Sequence, residues 1–221
     1  LQAARELDIN RVIHTSTSEV YGTAKFVPIT EEHPLQGQSP YSATKIAADQ
    51  LAYSFFTSFD LPIVIVRPFN TYGPRQSARA IIPTIITQLL SGNEDIRLGS
   101  LHPTRDFNYV RDICNGLILL SKFDEAIGKE VNIGSNTEIS IGTLADMLIK
   151  LLNAKVKIVT EDLRKRPDKS EVERLVCDNS LIKEITSWEP ETLLKDGLLE
   201  TIEWFNSEEN MKRYKGDIYN I

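Results

Sequence analysis

Two stretches, RVIHTSTSEVYG (residues 11–22) and PIVIVR (residues 62–67), decide the fold. Each carries a short run rich in β-branched residues, and between them SPYSATKIAADQLAYSFF (residues 39–56) has a helical pattern. Short apolar strands alternating with helices predict a parallel sheet buried on both faces, and so an α/β fold. Further out, IIPTIITQLLSG (residues 81–92) predicts a helix, followed by a strand near Ile96–Leu98 and a helix beginning near Arg111. EVNIG (residues 130–134) and VKIVTED (residues 156–162) read as strands on either side of a helix, IGTLADMLIKLLN (residues 141–153). The last helix is expected at Leu193–Phe205.

The chain has 221 residues, 41% of them apolar, enough for one large or two small cores. Its formal charge of −6 argues against a general nucleic-acid surface, although local arginines can hold a small phosphorylated ligand. There is no apolar run long enough for a transmembrane span and no signal-peptide pattern, so no membrane partner is expected. Cys114 and Cys177 lie far apart without metal-ligand spacing and read as reduced packing residues of a cytoplasmic protein. His14, His33 and His102 are scattered, and no metal site is expected.

Tyr41 and Lys45 stand at i and i+4, one turn apart on one helix face. An ammonium beside a phenol favours the phenolate, which makes Tyr41 a candidate general base. Ser39 and Pro40 suit the N-cap and first helical position, and Ala47, Leu51 and Phe55 are expected to continue an apolar stripe below the pair. Taken alone, Y-x-x-x-K equally describes an exposed Tyr beside a solvated Lys.

Five motifs follow one another in a fixed order: TSTSEVYG (15–22), PYSATK (40–45), RPFNTYGPR (67–75), TRDFNYVRD (104–112) and RPDKSEVERLVCDNS (166–180). This order resembles the extended short-chain dehydrogenase/reductase family in its nucleotide-sugar epimerase/dehydratase branch. The resemblance is closest to N-acetylglucosaminyl-nucleotide 4,6-dehydratases of the legionaminic acid pathway. It implies a Rossmann-type, doubly wound parallel sheet that holds NAD, over residues 1–77 and 109–135. A smaller α/β domain for the nucleoside-diphosphate sugar is implied over residues 78–108 and 136–221. None of the 11 glycines falls in a G-x-x-G-x-x-G or G-x-G-x-x-G pattern, and LQAARELDIN (1–10) reads as a helix end. A preceding segment of roughly a hundred residues, carrying the glycine-rich phosphate loop, is therefore expected.

The resemblance also implies roles. Tyr41, with Lys45, takes the proton from the sugar O4, and Thr17 orients the same hydroxyl. Glu19 removes the C5 proton, and Ser18 stands where some relatives carry an acid for the leaving C6 hydroxyl. Tyr41, Lys45 and the backbone at Pro68 lie against NAD. Asn70, Arg75, Arg105 and Arg166 are expected around the substrate phosphates, whereas Arg67 reads equally as a structural ion-pair partner. Thr-Ser-Glu also occurs in UDP-glucuronate decarboxylases, and a 4-epimerase is a further alternative. Without its glycine loop the chain is, on a third reading, a non-catalytic fragment. Relatives dimerise through the helix carrying the Tyr-Lys pair, so IAADQLAYSFFT (46–57) is expected at a homodimer interface.

Overall fold

The computed structural model describes residues 1–165 and 171–214. The first half runs α1 (Gln2–Glu6), β1 (Val12–Thr15), a 3-10 turn (Ser18–Tyr21), α2 (Pro40–Phe59), β2 (Ile63–Pro68), β3 (Thr71–Tyr72) and α3 (Ile81–Leu90). There follow β4 (Asp95–Leu98), β5 (Thr104–Arg105), β6 (Asn108–Tyr109), α4 (Val110–Leu120), β7 (Glu130–Ile133), β8 (Ile139–Ser140) and α5 (Ile141–Leu151). The chain closes with β9 (Lys157–Thr160), β10 (Arg174–Leu175), α6 (Ser180–Thr186), α7 (Leu194–Asn206) and α8 (Glu208–Met211).

β2 is the central strand of a parallel sheet ordered β1-β2-β7, paired from Val12↔Ile63 to Thr15↔Val66 on one side and from Ile65↔Glu130 to Pro68↔Ile133 on the other. Its side chains alternate between two apolar clusters. Ile63 and Ile65 pack with Ala52 and Leu61, against Val12 and Phe55, while Val64 and Val66 pack with Ile113, Leu120, Val131, Ile133, Ile182 and Trp188. Burial on both faces is the reason PIVIVR is a continuous β-branched run rather than an alternating one. Each such side chain contributes about 1.5–3 kcal/mol when fully buried.

A larger core lies in the second half. Ile82, Ile85 and Ile86 of α3 meet Leu144 and Leu148 of α5, Leu98 of β4, and Leu198, Ile202 and Phe205 of α7. Smaller ladders flank it: β4 with β9, β3 with β6, and β10-β5-β8. Ile182 and Trp188, although late in the chain, belong to the sheet's cluster. The Trp188 indole N–H donates to the Asp112 carbonyl oxygen at 3.0 Å.

The stripe expected on α2 is corrected by the structure. The buried face of this helix runs Ser42, Asp49, Ala52, whereas Ala47 and Leu51 are exposed and Phe55 is only half-buried. The reason is polar: α2 turns a carboxylate toward the sheet because β1 and β2 present His14 and Arg67 to it. Among the described residues, no helix is long and apolar enough to cross a membrane.

Candidate functional site

The chain leaves β1 at Thr15 and enters the 3-10 turn through Thr17, which is extended at φ −161° and accepts the Glu19 N–H on its Oγ1 at 3.2 Å. Thr17 therefore caps the turn. Ser18 is buried within it, and the turn packs against α2. At the start of α2, Ser39 and Ser42 exchange hydrogen bonds, the Ser42 N–H to Ser39 Oγ at 3.1 Å and the Ser39 N–H to Ser42 Oγ at 2.9 Å. With Pro40 at the first helical position, this capping box places Tyr41 in the first turn, where it is 53% exposed. One turn later the Lys45 ammonium donates to the Thr15 carbonyl oxygen at 2.8 Å, which holds it at the carboxyl edge of the sheet. Ligands bind at that edge in open α/β sheets.

Beside this edge opens a cleft of about 380 Å³, a volume suited to a small-molecule ligand. Glu19 and Asn70 line one part of it, and Arg79, Arg97, Arg105 and Arg164 line the rest together with Glu171. Among the described residues, four guanidinium groups and two carboxylates line it. Arg97 and Arg164 both bond Glu161, at 2.9 and 2.8 Å, and the hydrogen bond from Arg164, aided by the charge of Arg97, holds that carboxyl below the usual carboxylate range. Arg105 donates to the Thr104 carbonyl oxygen at 2.8 Å and reaches Glu171 at 3.4 Å. The Asn70 Oδ1 is buried and has no partner among the described residues.

The expected residues are thus distributed unevenly. Glu19, Asn70 and Arg105 line the cleft; Arg75, in the left-handed region at φ 67°, is exposed and outside its lining. Pro68 ends β2, half-buried, opposite Ile133. Arg166 lies outside the described residues. Arg79, Arg97 and Gln76 also line the cleft without having been singled out in the sequence. A signal for Arg97 exists, since DIRL alternates exposed and buried and turns the arginine away from the core.

Two buried polar systems support these positions. Arg67 is fully buried and structural: its Nε donates to Asp49 Oδ2 at 3.1 Å, and Nη1 lies 2.9 Å from Glu130 Oε2 and 3.0 Å from the Tyr21 hydroxyl. Asp49 completes the chain to His14 Nε2 at 3.2 Å. Burial pushes the Asp49 carboxyl up, but the bond with His14 and the charge of Arg67 outweigh it and hold it below the usual range. Asp106, also fully buried, accepts from the Ser135 N–H and hydroxyl, the Asn136 and Cys177 N–H groups and the Asn108 amide, at 2.6–3.1 Å. It thereby ties the segment after Arg105 to the loop after β7 and to the end of β10. Among the described residues, no group of three or more His, Cys, Asp or Glu side chains is arranged to hold a metal ion.

A Rossmann-type sheet edge carrying a Tyr-Lys helix, next to an arginine-lined cleft, defines a class: the sugar-nucleotide dehydratases and epimerases. The family described as GDP-mannose 4,6 dehydratase matches residues 1–201, and the chain belongs to it. It is 33% identical over 210 residues to a dTDP-glucose 4,6-dehydratase of Actinoplanes sp., covering 94% of this chain and 63% of that protein. Its fold is similar to the structure of dTDP-glucose 4,6-dehydratase from Bacillus anthracis in complex with NAD, with TM-score 0.86 and 29% identity over 97% of this chain and 67% of that one. It is also similar to UDP-N-acetylglucosamine 4-epimerase from Methanobrevibacter ruminantium in complex with UDP-N-acetylmuramic acid, with TM-score 0.84 and 29% identity over 92% of this chain and 65% of that one. The chain thus spans less than two thirds of the Actinoplanes relative's length.

Proposed function

We propose that this chain supplies the proton-transfer residues and sugar-nucleotide cleft of an NAD-dependent 4,6-dehydratase acting on UDP- or GDP-N-acetylglucosamine. The observation that carries this reading is Glu19, which lines the same cleft as the four arginines and thus puts a carboxylate within an arginine-lined surface. The arginines would hold the diphosphate, and Asn70 would donate from its Nδ2 to the phosphate nearest the sugar. In this reading the NAD domain spans residues 1–77 and 109–135 and the sugar-nucleotide domain 78–108 and 136–221, and the exposed Leu51 and Tyr53 of α2 lie on a homodimer face.

The residues present fit one end of NAD. Lys45 spends one of its three donors on Thr15, leaving two for ribose hydroxyls beside the exposed Tyr41 phenol. The pyrophosphate end would need a glycine-rich loop, which this sequence does not contain. Bound NAD would supply hydride transfer at C4 and its return to C6. Tyr41 would take the O4 proton, with Lys45 stabilising the phenolate and Thr17 orienting the hydroxyl. Glu19 would then take the C5 proton, acidified by the C4 ketone, and deliver a proton to the departing C6 hydroxyl. Ser18, buried in its turn, is a weaker donor for that last step.

The similarity to a UDP-N-acetylglucosamine 4-epimerase supports a second reading, in which the C4 ketone is reduced from its other face and no water is lost. Incubating the complete gene product with NAD and UDP-N-acetylglucosamine, GDP-N-acetylglucosamine or UDP-glucuronate, then weighing the products, separates these readings. Loss of water from an N-acetylglucosamine nucleotide, abolished in Glu19→Gln, is expected. An isomer of unchanged mass would make the protein an epimerase, and loss of carbon dioxide from the glucuronate a decarboxylase. No conversion of any of the three would support the non-catalytic reading.

A further inference from the structure

Of the 20 residues of α2, only Ser42, Asp49 and Ala52 are buried. Within this chain its apolar seat is Ala52 with the partly buried Ile46 and Phe55, a small surface with which to fix its rotation or its slide along the strands. Polar contacts do that here. Lys45 reaches the Thr15 carbonyl oxygen at 2.8 Å, and one turn further along the same face Asp49 divides its two oxygens between neighbouring strands. Oδ1 lies 3.2 Å from His14 Nε2 on β1, and Oδ2 accepts from Arg67 Nε on β2 at 3.1 Å. Directional bonds in a fully buried place tolerate little displacement.

We propose that Asp49 is a positioning residue for the proton-transfer pair: by joining His14 to Arg67 it fixes where α2 stands on the sheet, and through α2 it sets the placement of Tyr41 and Lys45. This rests on the reading of Tyr41 and Lys45 given above. Glu130 provides the internal control. It also pairs with Arg67, at 2.9 Å, but does so from β7. Removing either acid leaves the guanidinium short of a partner, and only the loss of Asp49 releases α2.

The complete gene product would be compared as wild type, Asp49→Asn, His14→Gln, Glu130→Gln and Tyr41→Phe. Two readouts are taken: turnover of UDP-N-acetylglucosamine with NAD, and amide hydrogen exchange over residues 41–48. Asp49→Asn is expected to lower kcat by about 10–100-fold, as a displaced catalytic group does, with KM changed by less than about threefold. Exchange in the first turns of α2 is expected to rise in that variant and, to a smaller degree, in His14→Gln. Glu130→Gln should melt at a lower temperature while keeping both kcat and the exchange pattern. If Asp49→Asn and Glu130→Gln change the two readouts alike, or if exchange stays at the wild-type level in Asp49→Asn, the proposal is overturned. Should Asp49→Asn not fold, His14→Gln carries the comparison, since His14 is only half-buried. Intact turnover in Tyr41→Phe would instead remove the catalytic reading of the pair, while the exchange data would still decide whether Asp49 anchors the helix.

Discussion

Gly99 sits against Arg164 so closely that a Cβ at position 99 would lie 2.4 Å from the Arg164 carbonyl oxygen. The end of β4 and the segment after β9 therefore meet backbone to backbone, and this contact brings the Arg164 side chain to the cleft that Arg97 also lines. Gly99→Ala forces the Arg164 segment outward. Affinity for UDP or GDP, measured by calorimetry, should fall about tenfold, equivalent to about 1.4 kcal/mol, and the melting temperature should fall as well, because the clash is with backbone.

Arg105 donates to the Thr104 carbonyl oxygen at 2.8 Å and pairs with Glu171 at 3.4 Å. In the proposed reading its guanidinium lies in the cleft that takes the diphosphate. Arg105→Gln is expected to weaken nucleoside-diphosphate binding by about 10–100-fold, the range of a hydrogen bond to a charged group. The wild-type protein should lose affinity as salt is raised, and the variant should lose less.

In the proposed mechanism Glu19 acts in the chemistry and not in binding. Because its assigned role is proton transfer, Glu19→Gln should lower kcat by about 10²–10⁴-fold while the Kd for the nucleotide sugar stays near the wild-type value. A parallel loss of both would mean that Glu19 shapes the cleft rather than working in it.

Asp106 accepts five hydrogen bonds, three of them from backbone N–H groups. Asp106→Asn keeps the size but turns one acceptor into a donor that faces other donors. A loss of about 2–4 kcal/mol in urea unfolding is expected, since buried donors are left unsatisfied. Arg105 and the β10 segment should loosen first, visible as faster hydrogen exchange there.

The Asp49 carboxyl is held below its ordinary range, so it contributes stability above the unfolded-state value near 3.9. That contribution is lost as pH falls through the folded-state pKa, where protonation takes one acid from Arg67. Thermal melts between about pH 2 and pH 5 should therefore show a steeper acid decline in wild type than in Asp49→Asn.

Much of this was legible in the chain. The β-branched run at 62–67 announced the central strand, and the Ser39-Pro40 pair announced the helix that presents Tyr41. Leu51 was misread because an apolar stripe at helical spacing normally faces the core, and only the positions of His14 and Arg67 reveal that a carboxylate faces it instead. Arg97 and Arg79 escaped notice for a related reason. They lie in segments without a chemical motif, and their place in the cleft depends on how β4 and α3 come together in space. Arg75 went the other way, close in sequence to a strong motif and yet turned outward by its left-handed backbone.

The alternation along β2 has one more consequence. Ile63, Ile65 and Arg67 look toward α2, and Val64 and Val66 toward Ile113 and Trp188. Were β2 to pair one residue out of step, Arg67 would enter the oily side of the sheet and Asp49 would face a valine. An unpaired guanidinium there costs several kcal/mol, whereas exchanging isoleucines for valines costs far less. The ion pair thus serves as a registration mark: it separates correct from misaligned sheets more sharply than the apolar residues around it can.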